Sequence, residues 1–456
     1  MNGCETWTFD ARMGLALELL GDALPAFLAS LAAALVAVPI ARAVALRTGV
    51  VDAPDGVRKL HGRTVAYLGG VGVFVGVFAG IIVSAIFAGG SMGELPPVPF
   101  SVVLGMVAIT FTGLADDIWK FDARLKIAGQ LVAAAALAID EIGVNVATGL
   151  LTPVLGGPDD VLLTVGGMVI QNSGLYYWVG TALVAVFVLG GCNAANLLDG
   201  LDGLLAGITA VMCIGLLALG ALVVFALPPD FANFEGIDRS MAGARLALCA
   251  SLLGACVGFL VFNFNPASIF LGDAGSLLIG FLSVTVIMMF ANLQPFACPW
   301  VPRHAVTAAE GGAVPPLQQL APDAGYQGLS TLLVMCGLAM FGLPIIDTAL
   351  SIIRRRRAGV PFSTPDANHL HHRVKRRFGG SVRKAVLSLY AMELGLVVLG
   401  LGCSAYLVLQ GGRLLYPFIF LVLAFLGLLA IAMRGTGAAP TAVPGRANGE
   451  AAAGKA

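Results

Sequence analysis

Long apolar runs separated by short polar breaks govern the whole chain. Runs able to span a bilayer, roughly 17 to 25 residues each, fall at about 23–44, 68–90, 98–115, 126–146, 177–192, 204–227, 241–262, 276–297, 329–352, 386–410 and 415–434. The pattern predicts an all-α polytopic integral membrane protein with about eleven transmembrane helices. Residues 1–434 read as one transmembrane domain, and 435–456, rich in Ala, Gly and Pro, as a disordered tail. The first run reads as a retained helix. Acidic Glu5, Asp10 and Glu18 stand where a cleavable leader carries basic residues, and no small-residue cleavage site closes it.

Composition removes the soluble classes. With 58% hydrophobic and 11% charged residues over 456 positions, the chain is too apolar for a water-exposed surface. Its zero net charge says little, because in a membrane protein the placement of charge matters more than its sum. The eight cysteines lie scattered in apolar segments with no CxxC pair, as small hydrophobic filling. Residues 298–328 are expected to form an irregular connection on the outer side.

Four polar breaks stand out: GLADDIWKFDARLKIAGQ (Gly113–Gln130), NAANLLDGLDG (Asn193–Gly203), NFNPASIFLGDAGS (Asn263–Ser276) and PDANHLHHR (Pro365–Arg373). If the first helix exits to the cytoplasm at Arg42 and Arg47, alternation leaves only Arg12, Arg239, Arg245, Arg303 and Arg413 outside. The other 21 of the 26 Lys and Arg lie inside. The same orientation puts all four breaks, and the loop Asp52–Arg63, on the cytoplasmic side. One membrane surface is expected to carry the chemistry.

Taken singly, each break has a plain explanation. Asp116 and Asp117 could be a solvated helix end, the glycines of DGLDGLLAG a close helix contact, and Arg354–Arg357 a positive-inside anchor. His369, His371 and His372 could bind a transition metal, but their companions are oxygen donors and no cysteine is near, which favours phosphate or sugar. Carboxylates at membrane helix ends are costly to keep, and four such clusters on one side point to a site. Paired carboxylates, amides, a lysine and a Gly-Asp-x-Gly turn suit a divalent cation holding a phosphorylated substrate, where positioning and charge neutralisation do most of the work.

DDIWKFDARLKIAGQ, NAANLLDGLDGLLAG, NPASIFLGDAGS and RRRRAGVPFSTPDANHLHHR, in that order between hydrophobic helices, resemble the polyprenyl-phosphate N-acetylhexosamine-1-phosphate transferases (glycosyltransferase family 4). DAPDGVRKLHGRTVAYLGGVGVF resembles that family's first loop and second helix, so the likeness covers about Asp52 to Arg373. It implies a Mg²⁺-dependent enzyme, with Mn²⁺ as a substitute, in the bacterial inner membrane. That enzyme would transfer an N-acetylhexosamine 1-phosphate, GlcNAc-1-phosphate in the first instance, from a UDP-sugar to undecaprenyl phosphate. UMP is released, and the lipid-linked sugar feeds envelope glycan synthesis. By matching positions, Asp273 would be the principal Mg²⁺ ligand and Asn196 a second contact. Asp116 would be the base or orienting group for the lipid phosphate, with Asp117 beside it and Lys126 supplying positive charge. Asp199, Asp202, Asn263 and Phe270 would line the nucleotide pocket, and His369, His371, His372 and Arg373 would reach the diphosphate or sugar.

Two positions depart from the family pattern. Ala66 replaces a usual proline three residues before the double glycine, which bears on the rigidity of that loop. His-Leu-His-His in place of three consecutive histidines favours the N-acetylglucosamine branch over the phospho-N-acetylmuramoyl-pentapeptide transferases. An ion-coupled transporter is a rival reading, although such sites tend to sit at the bilayer midplane. A CDP-alcohol phosphotransferase matches only at DGLLA, and Gly207 follows where that signature needs Arg. The implied partners are a UDP-N-acetylhexosamine, the polyprenyl phosphate and the bilayer, with no nucleic acid; homodimerisation is left open.

Overall fold

A computed structural model describes residues 9–52, 64–88, 98–120, 122–157, 160–165, 168–225, 241–292, 323–360, 369–410 and 419–427 apart from 421 and 425. The first loop beyond Asp52, most of the 298–328 connection, the bulk of the run 415–434 and the tail 435–456 lie outside them. The helices in chain order are α1 (Phe9–Thr48), α2 (Gly69–Ala88), α3 (Phe100–Trp119), α4 (Ala123–Ile139), α5 (Asn145–Leu155), α6 (Asn172–Leu198), α7 (Leu204–Phe225), α8 (Met241–Asn263) and α9 (Gly272–Met288). After these come α10 (Asp323–Met340), α11 (Gly342–Arg357), α12 (Leu370–Arg377) and α13 (Val382–Gln410). Helix α10 starts six residues before the apolar run at 329, inside the stretch expected to be irregular.

Among the described residues, eight helices are long and apolar enough to cross a bilayer alone. A further apolar pair, α10 and α11, meets at a bend of 77°, the geometry of a broken span or a re-entrant loop. The break falls at Phe341, before Gly342 and Pro344, where a buried Glu393 carboxylate on α13 accepts the N–H of Leu343 at 3.3 Å. Helix α4 has 17 residues, about 25 Å at 1.5 Å each, at the lower end of the roughly 17–25 residues a crossing takes. The fold class therefore holds, while the count of about eleven is not reproduced by the described residues. The sequence pattern also missed α5, α12 and two small antiparallel pairs, β1–β2 (Val51–Asp52 with Val65–Ala66) and β3–β4 (Val161–Val165 with Met168–Gln171).

Helix α9 is the central element: of its span, continued through the short 3₁₀ turn Met289–Asn292, only Asp273 and Asn292 keep partial access. Apolar residues facing outward, among them Val36, Phe87, Phe100, Phe111 and Val261, give the bundle a surface suited to lipid. With no hydrophobic drive between helices in lipid, close packing relies on small residues and hydrogen bonds. Ser30 of α1 donates to the carbonyl of Ser251 on α8 at 2.5 Å, and a Cβ at Gly113 would lie 2.5 Å from Ala274 Cα, so α3 meets α9 backbone to backbone. Among the described residues Cys192, Cys213, Cys249, Cys256, Cys336 and Cys403 are free and buried, as filling requires.

Candidate active site

The hairpin of α3 and α4 sets out the first half of the site. Lys120, in the left-handed region at φ 52°, ends α3 with its N–H on Asp116 O, and the Asp122 side chain starts α4 by accepting from Arg124 N. Three residues separate the helices, so Asp116 in the last turn of α3 meets Lys126 in the first turn of α4. The second half comes from the N-terminus of α9. Gly272 has φ +73°, a conformation that favours glycine, and a Cβ there would lie 2.6 Å from Asp117 Oδ2. The turn is then stapled from outside: Asp117 accepts from the N–H groups of Asp273 at 2.7 Å and Ala274 at 3.0 Å, a carboxylate meeting the positive end of a helix.

Four side chains converge on this point. Lys126 Nζ bridges Asp116 Oδ2 at 2.7 Å and Asp273 Oδ2. Asn196, near the end of α6, donates from Nδ2 to Asp273 Oδ1 at 2.6 Å and to Ser276 Oγ at 2.9 Å. The other Asp116 oxygen, Oδ1, is buried with no hydrogen-bond partner among the described residues. Next to the cluster, Asp199 caps α6; burial pushes its carboxyl up to about 7, with Asp273, Asp117 and Asp202 adding to the shift. Burial, then the charges of Asp273, Asp117 and Asp199, also push the Tyr67 phenol upward, so it stays neutral.

Asp202, Asn263 and Phe270 belong to a bracing network beside that centre. Asp202 Oδ2 accepts from Asn265 Nδ2 at 2.8 Å and Ala267 N at 3.1 Å. Asn263 takes Gly203 N–H and gives its Nδ2 to Ile269 O, each at 2.9 Å. Tyr390 of α13 donates to Gly203 O, while Arg42 and Arg383 hold the loop from outside through the carbonyls of Ser268 and Asn265. Phe270 meets Tyr67 edge to face at 6.5 Å. Ala66 is buried, pairs with Val51, and accepts Phe270 N–H at 2.8 Å; strand pairing restrains this position, which lacks the family's proline.

The histidines gather on Asp347 of α11. His369 Nδ1 lies 3.1 Å and His371 Nδ1 3.7 Å from Asp347 Oδ2, and Leu370 N–H donates to Oδ1 at 2.7 Å. A Cβ at Gly200 would collide with His371 Nε2, so the motif rests on the turn after Asp199. His372 and Arg373 keep partial access. Sequence reasoning missed Asp347, Tyr67 and Ser276. The first was detectable as a carboxylate inside the apolar run 329–352.

The donors at the centre fit a hard divalent cation. Asp273, Asn196, Ser276 and the unpartnered Asp116 oxygen offer oxygen ligands. Among the described residues no cluster of three or more His, Cys, Asp or Glu forms a self-sufficient cage. Mg²⁺ commonly uses one or two protein carboxylates together with substrate phosphates.

A bundle of lipid-facing helices that brings paired carboxylates, a lysine and a histidine cluster together defines a polytopic membrane protein with an acidic polar centre. Residues 99–291, which hold most of that site, match the family described as Glycosyl transferase family 4. A Mycolicibacterium smegmatis protein named decaprenyl-phosphate N-acetylglucosaminephosphotransferase is 31% identical over 87% of this chain and 87% of its own length. A Bacillus subtilis protein named probable undecaprenyl-phosphate N-acetylglucosaminyl 1-phosphate transferase is 29% identical over 80% of each chain. A phospho-N-acetylmuramoyl-pentapeptide-transferase of Desulforudis audaxviator is 33% identical, but over 56% of this chain and 71% of its own. The chain belongs to the polyprenyl-phosphate N-acetylhexosamine-1-phosphate transferases of glycosyl transferase family 4.

Proposed function

We propose that the protein transfers N-acetylglucosamine 1-phosphate from UDP-N-acetylglucosamine to a polyprenyl phosphate, undecaprenyl phosphate in the first instance, at the cytoplasmic side of a bacterial inner membrane. The single observation that carries this reading is the Asp116–Lys126–Asp273–Asn196 cluster at the lipid-facing bundle's end. A lipid phosphate sliding in the membrane and a soluble nucleotide-sugar can both arrive there. The positive-inside balance supports the cytoplasmic assignment, and Arg245, assigned to the other side, is buried near the start of α8, far along the helix from Asn263 at the site, where it donates to Met289 O at 3.1 Å.

In the reaction an oxygen of the lipid phosphate attacks the sugar-linked phosphorus. The bond from that phosphorus to the bridging oxygen breaks, and UMP leaves with the electron pair. Asp116, with one oxygen unpartnered, orients the lipid phosphate and accepts any proton it carries. Lys126 offsets the gathered negative charge. A Mg²⁺ or Mn²⁺ ion held by Asp273, and by the Asn196 amide turned to present its oxygen, would neutralise charge on the transferred phosphoryl group. Asp199 and Phe270 border the uridine side, and His372 and Arg373 the sugar phosphate.

The N-acetylglucosamine choice over a muramoyl-pentapeptide donor rests on the His-Leu-His-His motif and on the longer match to relatives with N-acetylglucosamine in their names. The test is to incubate the purified protein with polyprenyl phosphate, Mg²⁺ and separate UDP-sugars, and to follow UMP and lipid-linked product. UMP from UDP-N-acetylglucosamine but not UDP-glucose supports the reading, since polar groups left unpaired by the wrong sugar are costly. Turnover of UDP-N-acetylmuramoyl-pentapeptide alone sinks it.

A further inference from the structure

Asp347 is 1% exposed in a helix that is apolar up to its arginine end. A carboxylate so placed is expensive unless its charge and lone pairs are met, and its partners here come from one eight-residue helix, α12, and the histidine that caps it. Oδ1 takes the Leu370 N–H at 2.7 Å, one of the donors a helix start leaves unpaired. Oδ2 faces Nδ1 of His369 at 3.1 Å and Nδ1 of His371 at 3.7 Å. The two imidazoles lie parallel, 5.5 Å between centroids and 8° between planes, and the His372 ring follows at 4.2 Å from that of His371.

Asp347 is hydrogen-bonded to His369 Nδ1 and the Leu370 N–H, whereas His371 Nδ1, at 3.7 Å, lies beyond hydrogen-bond reach and has no hydrogen-bond partner among the described residues. Asp347 therefore places the His371 ring through the helix start it holds and through the parallel His369 ring, and so sets where Nε2 points. That atom meets Gly200, next to Asp199. With 1% exposure, His371 sits as a wedge between α11 and the turn after α6, poorly placed to grip a sugar itself.

We propose that Asp347 is a positioning residue that acts through His371 on the Asp199–Gly200 turn, setting the nucleotide-sugar side of the site, and that the three histidines divide the work. His369 and His371 carry the orientation, which leaves His372 to meet substrate. This rests on the transfer reaction inferred above and adds a residue to it.

The test is a double-mutant cycle in full-length protein in lipid nanodiscs: Asp347→Asn, His371→Gln and the pair, with Asp347→Glu as a second conservative variant. An amide can still accept the Leu370 N–H, so Asp347→Asn is expected to melt near the wild type. It should raise KM for UDP-N-acetylglucosamine by about 10- to 100-fold, taking as a guide the range for groups that orient metal-bound imidazoles, and leave KM for polyprenyl phosphate unchanged. The pair should be no worse than the more damaged single variant, and Asp347→Glu should recover part of the loss. Additive losses, or equal damage to both KM values, overturn the proposal.

A second arm needs no substrate. In spectra of ¹⁵N-histidine-labelled protein, Asp347→Asn should move the ring signals of His369 and His371. Unmoved signals overturn the proposal. If the signals move but wild type releases no UMP from UDP-N-acetylglucosamine, the transfer reading fails and the Asp347 contact stands.

Discussion

Asp117 holds the backbone of Asp273 while Lys126 and Asn196 hold its side chain. Two adjacent aspartates on α3 thus have separate tasks: Asp116 shares the lysine with Asp273, and Asp117 seats the helix that carries Asp273.

Asp117→Ala is expected to act on stability first. Losing a carboxylate that caps two helix N–H groups costs about 0.5–2 kcal/mol, and Asp273 would drift from Lys126. Thermal melts in nanodiscs together with turnover check this; a variant with wild-type melting and wild-type rate removes the capping role.

For Asp273→Asn the expected pattern is reversed. Folding survives, because Asp117 still meets the backbone N–H groups, but turnover is lost, since an amide holds Mg²⁺ far less well than a carboxylate. EDTA should stop the wild type, and Mg²⁺ or Mn²⁺ should restore it. Near-normal rates of Asp273→Asn at saturating Mg²⁺ would take Asp273 out of the metal site.

Asp116→Asn should slow transfer by at least about 10², the low end for acid–base participation, and leave KM for the UDP-sugar close to wild type. A rate within a few-fold of wild type, with an unaltered pH profile, rules out the assignment to the lipid phosphate.

Gly113→Val tests the close approach that joins the two halves. A Cβ at this position already lies 2.5 Å from Ala274 Cα and Asp273 O, so α3 must move away and carry Asp116 from Lys126 and Asp273. Overpacking costs typically about 1–3 kcal/mol, and activity should fall far more than the melting point suggests. Full activity in this variant would mean that the helix contact does not set the site.

His372 links stability to pH. Burial, then the charges of His371 and His369, lower its folded value from 6.5 to about 4. The fold therefore favours the neutral ring. Its contribution is intact above pH 6.5 and is lost as pH falls towards 4, where the unfolded chain takes up the proton more readily. The melting point of His372→Gln should drop less than that of wild type between pH 7.5 and 5. Equal drops would show that His372 does not titrate in this way.

Much of the architecture is legible in local pattern. The length and apolarity of the runs announce membrane helices, and the runs that became α2, α3, α7 and α8 start and end within a few residues of the observed helices. These features depend on neighbours a few positions away, through the cost of unpaired backbone groups in lipid. Asp116, Lys126, Asn196 and Asp273 were also visible, as polar residues that a bilayer tolerates only for a reason. In the structure these four side chains meet in one cluster.

What only the tertiary structure decided is the pairing of residues far apart in the chain. Lys126 reaches Asp273 across 147 positions and Asp117 reaches the same residue's N–H across 156. No periodicity encodes which carboxylate caps a helix and which stays open for chemistry. The bend at Phe341 and the histidine cluster on Asp347 have the same origin. Sequence sets each helix through short-range hydrogen bonding and transfer from water. Which helix ends meet is set by small-residue contacts and buried polar partners, such as Gly113 on Ala274 and Asp347 under His371, which form once the bundle has packed.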